Sequence, residues 1–127
     1  MCNRYANLAT QAEIRTRTRA QRDYGGNQPP LPGIFPDYPA PIVRNNQGER
    51  ELAIARWGMP SPAFALQGRN SDGGITNVRN VKSPYWRRWL GVENRCVVPF
   101  TSFSENEVLA DGSRPLVWFA FNEDRPL

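Results

Sequence analysis

Six of the twelve prolines in this 127-residue chain lie between Pro29 and Pro41, just behind the pair Gly25-Gly26. Proline fixes φ and carries no backbone N–H, so such a run sits badly in a helix or a central strand. Residues 24–41 therefore read as a loop of fixed shape, with the regular elements on either side of it. The length allows one domain, residues 1–127. Glycine and proline together stay below the density of low-complexity sequence, and 11% aromatic with 22% charged residues suits a folded chain.

Before the proline run, residues 1–8 read as short and extended. Thr10-Gln11-Ala12-Glu13 fits a capping box, which predicts a helix over 11–22 with a thin apolar face of Ala12, Ile14 and Ala20. After it, Ile42-Val43-Arg44, a turn at Asn45–Gly48 and the alternating run Glu51–Trp57 predict a hairpin. Gly68–Gly74 is a polar loop leading into Ile75–Asn80. Ser83-Pro84 opens a short helix, serine as N-cap, striped by Tyr85, Trp86, Trp89 and Leu90 and closed by Gly91. Arg95–Phe103 reads as a strand with a buried run Cys96-Val97-Val98. A second hairpin pairs about 104–110 with 115–121 across Asp111-Gly112. The last strand, Leu116–Phe121, is strongly apolar. Either it meets elements that this stretch of sequence lacks, or it is an edge covered by the arginine-rich helix.

Several classes of function are excluded or disfavoured by composition. No apolar run approaches the ~20 residues of a membrane span. Met1-Cys2-Asn3-Arg4-Tyr5 lacks the apolar core of a secretory signal, so the expected location is cytoplasmic. With two cysteines and no histidine, a four-ligand zinc site and a histidine-based catalytic triad are both out of reach, and no cofactor or metal is expected. Fifteen of the sixteen basic residues are arginine. That bias suits phosphate recognition, and a GC-rich genome produces it equally well. Residues 1–100 carry fourteen basic against seven acidic groups, whereas 101–127 carry two against five. A polyanion would thus be held by a local patch and not by overall charge.

Cys2 is the sharpest position. With Met1 removed it presents a free α-amine and a thiol two carbons apart, and such an aminothiol condenses with an aldehyde to an imine that the thiol closes into a thiazolidine. The α-amine has a reference pKa of about 7.7–8.0, so a tenth or more is free base near neutrality. Glu105, at the end of a predicted strand, is placed to shuttle protons, or is a solvated strand-end carboxylate. Asn77 is an amide able to hold a hydroxyl or amine, or simply a turn residue.

Met1-Cys2-x-Arg4-Tyr5, Arg56-Trp57-Gly58-Met59-Pro60, Asn77-x-Arg79 and Arg95-Cys96-x-x-Pro99-x-x-x-Phe103-x-Glu105 follow in that order. Together they resemble the SOS-response-associated peptidase (SRAP) family, whose members recognise abasic sites in single-stranded DNA. The resemblance implies an α+β, mostly β, open-barrel-like fold with a few short helices. It implies loss of the initiator methionine and a covalent thiazolidine link from Cys2 to the ring-opened abasic sugar, in a DNA-damage role that brings the protein to the nucleoid. Catalytic roles fall to Cys2, Asn77 and Glu105. Arg4 and Arg79 match positions that hold flanking phosphates, and Trp57 and Pro60 match the motif beside the DNA groove, Trp57 also reading as core. Asn3 replaces the usual glycine, Phe100-Thr101-Ser102 replaces Ala-Asp-Gly, and Asn106 replaces an aromatic that stacks on a base. Family members also carry an active-site histidine in a segment that would follow residue 127. The chain therefore reads as the N-terminal portion of such a domain, incomplete at its C-terminus. Two other outcomes are a thiol autopeptidase that removes its own Met1, and an inactive fragment.

Overall fold

The computed structural model describes residues 3–121. In chain order the elements are β1 (Arg4–Asn7), α1 (Gln11–Thr18), β2 (Arg22–Asp23), β3 (Leu31–Ile34), β4 (Pro39–Asn46), β5 (Glu49–Arg56), α2 (Pro84–Arg87), β6 (Cys96–Val97), β7 (Ser102–Asn106) and β8 (Leu116–Ala120). Strands dominate, and the fold is α+β as expected. They form two four-stranded sheets, ordered β3-β1-β7-β8 and β2-β5-β4-β6, which do not close into a barrel.

Local chemistry sets several boundaries. Thr10 Oγ1 accepts from the Glu13 N–H while the Glu13 carboxylate accepts from the Thr10 N–H, the reciprocal capping box that starts α1. The helix stops at Thr18, not near residue 22. Arg19 turns left-handed (φ 53°), and the N–H groups of Arg19 and Ala20 close back on the carbonyls of Thr16 and Arg15. That early exit lets Ala20 join Ile14, Val43 and Leu52 in one buried cluster, and it frees Arg22-Asp23 to run parallel to β5. In the β4–β5 hairpin the turn residues Gln47 (φ 51°) and Gly48 (φ 83°) are both left-handed. This is the geometry that suits a two-residue hairpin to the twist of its strands.

The proline-rich stretch is not all loop. Leu31–Ile34 forms edge strand β3, and β4 begins at Pro39. Pro39 and Pro41 are tolerated because β4 pairs with β6 only at Val43 and Arg44, so neither proline is asked for a hydrogen bond on that side. The Arg95–Phe103 strand is likewise broken. Only Cys96-Val97 pairs with β4, and the chain enters the other sheet at Ser102. Cys96, Val97 and Val98 are exposed instead of buried, since two residues at a sheet edge have no second layer above them among the described residues. Ser83 precedes α2 without a side-chain capping bond. The predicted second hairpin is present as β7–β8, with β7 shifted to Ser102–Asn106. Leu116, Trp118 and Phe119 are substantially exposed, and α1 does not cover them, because Ile14 packs it on the other sheet.

The two sheets meet through Tyr5, Ile34 and Ala40, with Leu31, Trp57, Phe100 and Phe103 against them. Two ring contacts extend this layer: Phe103 stacks on Phe119 at 5.2 Å and meets the edge of Phe100 at 5.7 Å. No helix of the described residues is long and apolar enough to cross a membrane.

Candidate functional site

β1 is the hub. It lies between β3 and β7, with Tyr5 opposite both Ile34 and Phe103, and Arg4 opposite Ser104. Buried Ser104 donates from its hydroxyl to the Arg4 carbonyl at 3.4 Å. The Arg4 guanidinium lies over the Phe35 ring, 4.8 Å from its centroid, a cation–π contact that fixes the direction of a long side chain. At the far end of β1, Asn7 is buried. Its Nδ2 donates to the Pro99 carbonyl at 3.2 Å and its Oδ1 accepts from the Ala9 N–H at 3.1 Å. Thr101 closes the same corner, its N–H and its hydroxyl both donating to the Ala6 carbonyl.

Glu105 follows Ser104 on β7 and pairs with Val117 on the other side. It is half-buried. Side chains alternate along a strand, so Glu105 shares a face with Phe103, while Arg4 and Ser104 point to the other face. Cys2 lies outside the described residues; in sequence it stands two residues before β1, whose first residue is opposite the neighbour of Glu105.

The Arg56–Pro60 motif forms the turn after β5, and every residue in it is tied. Arg56 binds the Asp37 carboxylate and the Asp72 carbonyl. Trp57 meets Tyr5 edge-on at 5.1 Å, and Met59 exchanges both backbone hydrogen bonds with Ile75 at 2.8 and 2.9 Å. Pro60 is exposed, and its carbonyl accepts from the Tyr85 hydroxyl at 3.0 Å. Gly58 (φ 141°) and Gly74 (φ 77°) touch backbone to backbone. A Cβ on Gly74 would stand 2.9 Å from the Gly58 Cα.

Asp72 locks this turn to the following loop. Its carboxylate accepts from the Ser61 hydroxyl at 2.7 Å, the Ser61 N–H at 2.9 Å and the Gly74 N–H at 2.9 Å. The Ser61 hydrogen bonds, helped by the Gly74 N–H, hold its pKa down to about 2. Asn77 and Arg79 follow two and four residues after the Met59–Ile75 bridge. Both are exposed, and the Asn77 amide donates to the Thr76 hydroxyl at 3.3 Å.

The four sequence motifs are thus joined through β1. The Cys96–Glu105 segment pairs with it, the Arg56–Pro60 turn packs on Tyr5, and the Asn77–Arg79 loop hangs from that turn. Trp57, partly buried, packs against the buried cluster around Tyr5. Sequence reading missed Asp72 and Tyr85, which position the motifs. Asp72 stands two residues before Gly74, a spacing typical of a carboxylate that caps its own turn. Tyr85 was read only as part of a helix stripe. Among the described residues no group of three histidine, cysteine, aspartate or glutamate side chains is gathered to hold a metal.

A family model described as SOS response associated peptidase (SRAP) matches residues 1–127. A crystal structure of a protein from Bordetella bronchiseptica is similar in fold, with TM-score 0.56 and 21% identity, over 91% of this chain and 55% of that one. The chain therefore spans little more than half the length of that protein. No curated protein matches.

Proposed function

Because the chain belongs to the SOS response associated peptidase family, we propose that it captures abasic sites in single-stranded DNA through Cys2, once Met1 is removed. The free α-amine attacks the aldehyde carbon of the ring-opened sugar, and the adduct loses water to an imine. The Cys2 sulfur then adds to the imine carbon while the nitrogen takes a proton. Amine, thiol and aldehyde thus become a thiazolidine plus one water, with no oxidant required. Glu105 shuttles the protons for sugar opening and dehydration. Asn77 holds the amine or a sugar hydroxyl, Arg4 and Arg79 take the flanking phosphates, and Trp57 and Pro60 border the strand.

The observation that supports this most is the β1–β7 register. In it Arg4 lies opposite Ser104, the chain neighbour of Glu105, and Cys2 precedes Arg4 by two residues in the sequence. The test is a denaturing gel of the Met1-free protein with an abasic single strand. A heat- and detergent-resistant adduct is expected, and Cys2→Ala should abolish it; an adduct that persists unchanged in Cys2→Ala refutes the mechanism. Glu105→Gln should slow adduct formation by 10²–10⁴-fold, the usual worth of a positioned acid–base group.

The family description itself favours a second reading, peptidase action by Cys2 on its own Met1. Intact mass separates the two. Retention of Met1 by Glu105→Ala but not by the wild type supports self-processing, and equal loss assigns the removal to a host aminopeptidase.

A further inference from the structure

Outside the site just described, the second sheet carries a groove of about 530 Å³ where β4, β5 and β6 meet the end of α1. Arg44, Arg50 and Arg95 line it with the Asn45 amide, together with buried Val43 and the exposed Val92 and Val97. No carboxylate lines it. Glu51, next to Arg50 on β5, is buried and already taken up, by Arg44 Nε at 2.5 Å and by Asn46 Nδ2 at 3.1 Å. Arg50 is steadied by donating from Nη1 to the Thr18 carbonyl at 2.5 Å, which leaves its other donors to the groove. Arg95 is exposed, and among the described residues its guanidinium has no acceptor.

Arg50 lies on β5, Arg44 on β4 and Arg95 immediately before β6. Arg50 pairs with Asn45, and Arg44 pairs with Cys96, next to Arg95. Neighbouring strands are about 4.8 Å apart, so Arg50 and Arg95 stand on the order of 10 Å apart across the sheet. Guanidinium forks match phosphate oxygens, and the valines suit the sugar edges between successive phosphates. We propose that this groove binds the phosphodiester backbone of a single nucleic-acid strand, extending the contact beyond Arg4 and Arg79 onto the second sheet. The inference rests on the nucleic-acid reading of the protein, although its binding step needs neither Cys2 nor an abasic site.

The experiment is fluorescence anisotropy of an undamaged labelled oligothymidylate with the whole chain, titrated at several salt concentrations. For single strands, log K falls with log salt by about 0.7 per phosphate contacted. Arg95→Gln should weaken binding several-fold and flatten the slope by about 0.7, and Arg50→Gln with Arg95→Gln by about 1.4. Arg69→Gln, the same charge loss on an exposed loop, should leave the slope unchanged, and thermal melts check that each variant is folded. Equal slopes for wild type, Arg95→Gln and the double variant would overturn the proposal. So would displacement of the strand by thymidine mono- or triphosphate at matched phosphate concentration, which would make the ligand a free nucleotide. The Cys2→Ala protein should keep both the binding and its dependence on Arg95. Loss of adduct with the groove intact therefore counts against the crosslinking reading alone, and an adduct formed without any Arg95 effect counts against the groove alone.

Discussion

At the scale of single residues, the contact that most constrains the site is between two residues with no side chain. Gly58 and Gly74 bring the Arg56–Pro60 turn and the Asn77–Arg79 loop together backbone to backbone. In Gly74→Ala the new Cβ meets main chain, and the left-handed φ adds strain of about 1–3 kcal/mol. Gly68→Ala is the matched control, since Gly68 has a similar φ of 75° but nothing within 4 Å. Gly68→Ala should lose only that same left-handed backbone preference, about 1–3 kcal/mol, whereas Gly74→Ala adds the main-chain contact and should melt lower still and also form less adduct, because the loop bearing Asn77 is displaced. Equal melting temperatures and adduct yields for the two variants would refute this role for the glycine contact. Asn77 and Glu105 can be proposed from the sequence because their chemistry and their spacing from the other motifs are local facts of it. The glycine contact was not, since nothing near either residue marks it as facing a partner sixteen positions away.

Among the elements, those whose signals are local were the readable ones. Thr10 and Glu13 announced the start of α1, and the β4–β5 hairpin followed from its alternation. Its turn shows what remains improvable: Gln47 holds a left-handed φ that asparagine tolerates better, and Asn-Gly is the favoured pair for this turn. Gln47→Asn should therefore stabilise the protein by a few tenths of a kcal/mol up to about 1, seen as a higher melting temperature with unchanged adduct yield. Strand β3 and the short, exposed β6 were hidden for tertiary reasons. Pro32 reads as a loop until the sheet shows that β3 is an edge, and Cys96-Val97-Val98 reads as core until it is clear that nothing among the described residues stands over it. Asn7 gives the complementary case, a polar residue whose burial joins three segments. Its two hydrogen bonds tie β1 to the turn before α1 and to the approach to β7. Asn7→Ala would leave a buried carbonyl and N–H unpaired, at a cost of about 1–3 kcal/mol. Denaturant unfolding should show that loss, and a variant as stable as wild type would mean that water replaces both bonds.

For the molecule as a whole, two carboxylates, Glu51 on β5 and Asp72 in the loop before Gly74, set its response to acid. Glu51 is held below its usual pKa by hydrogen bonds from Asn46 and then Arg44, and Asp72 is held down to about 2, chiefly by Ser61. A group whose pKa is lower folded than unfolded stabilises the fold in full above its unfolded value, about 4 for these side chains. That contribution is lost as pH falls through the folded value. Melting temperature should thus be insensitive to these groups between about pH 7 and 5, then drop from about pH 4.5 towards 2. Asp72→Asn should lower the plateau and flatten the drop, and Glu51→Gln should do likewise; a variant whose curve keeps the wild-type shape would show that its carboxylate is not what acid titrates. Adduct formation should follow a different curve. Where amine attack limits the rate, protonation of the Cys2 α-amine slows it about tenfold per pH unit below roughly 7.7. Capture should therefore fail between about pH 7 and 5 while the fold is still intact. If activity and melting temperature instead fell together below pH 4.5, the amine would not be the attacking group, and loss of the Asp72-held loop would explain the inactivation.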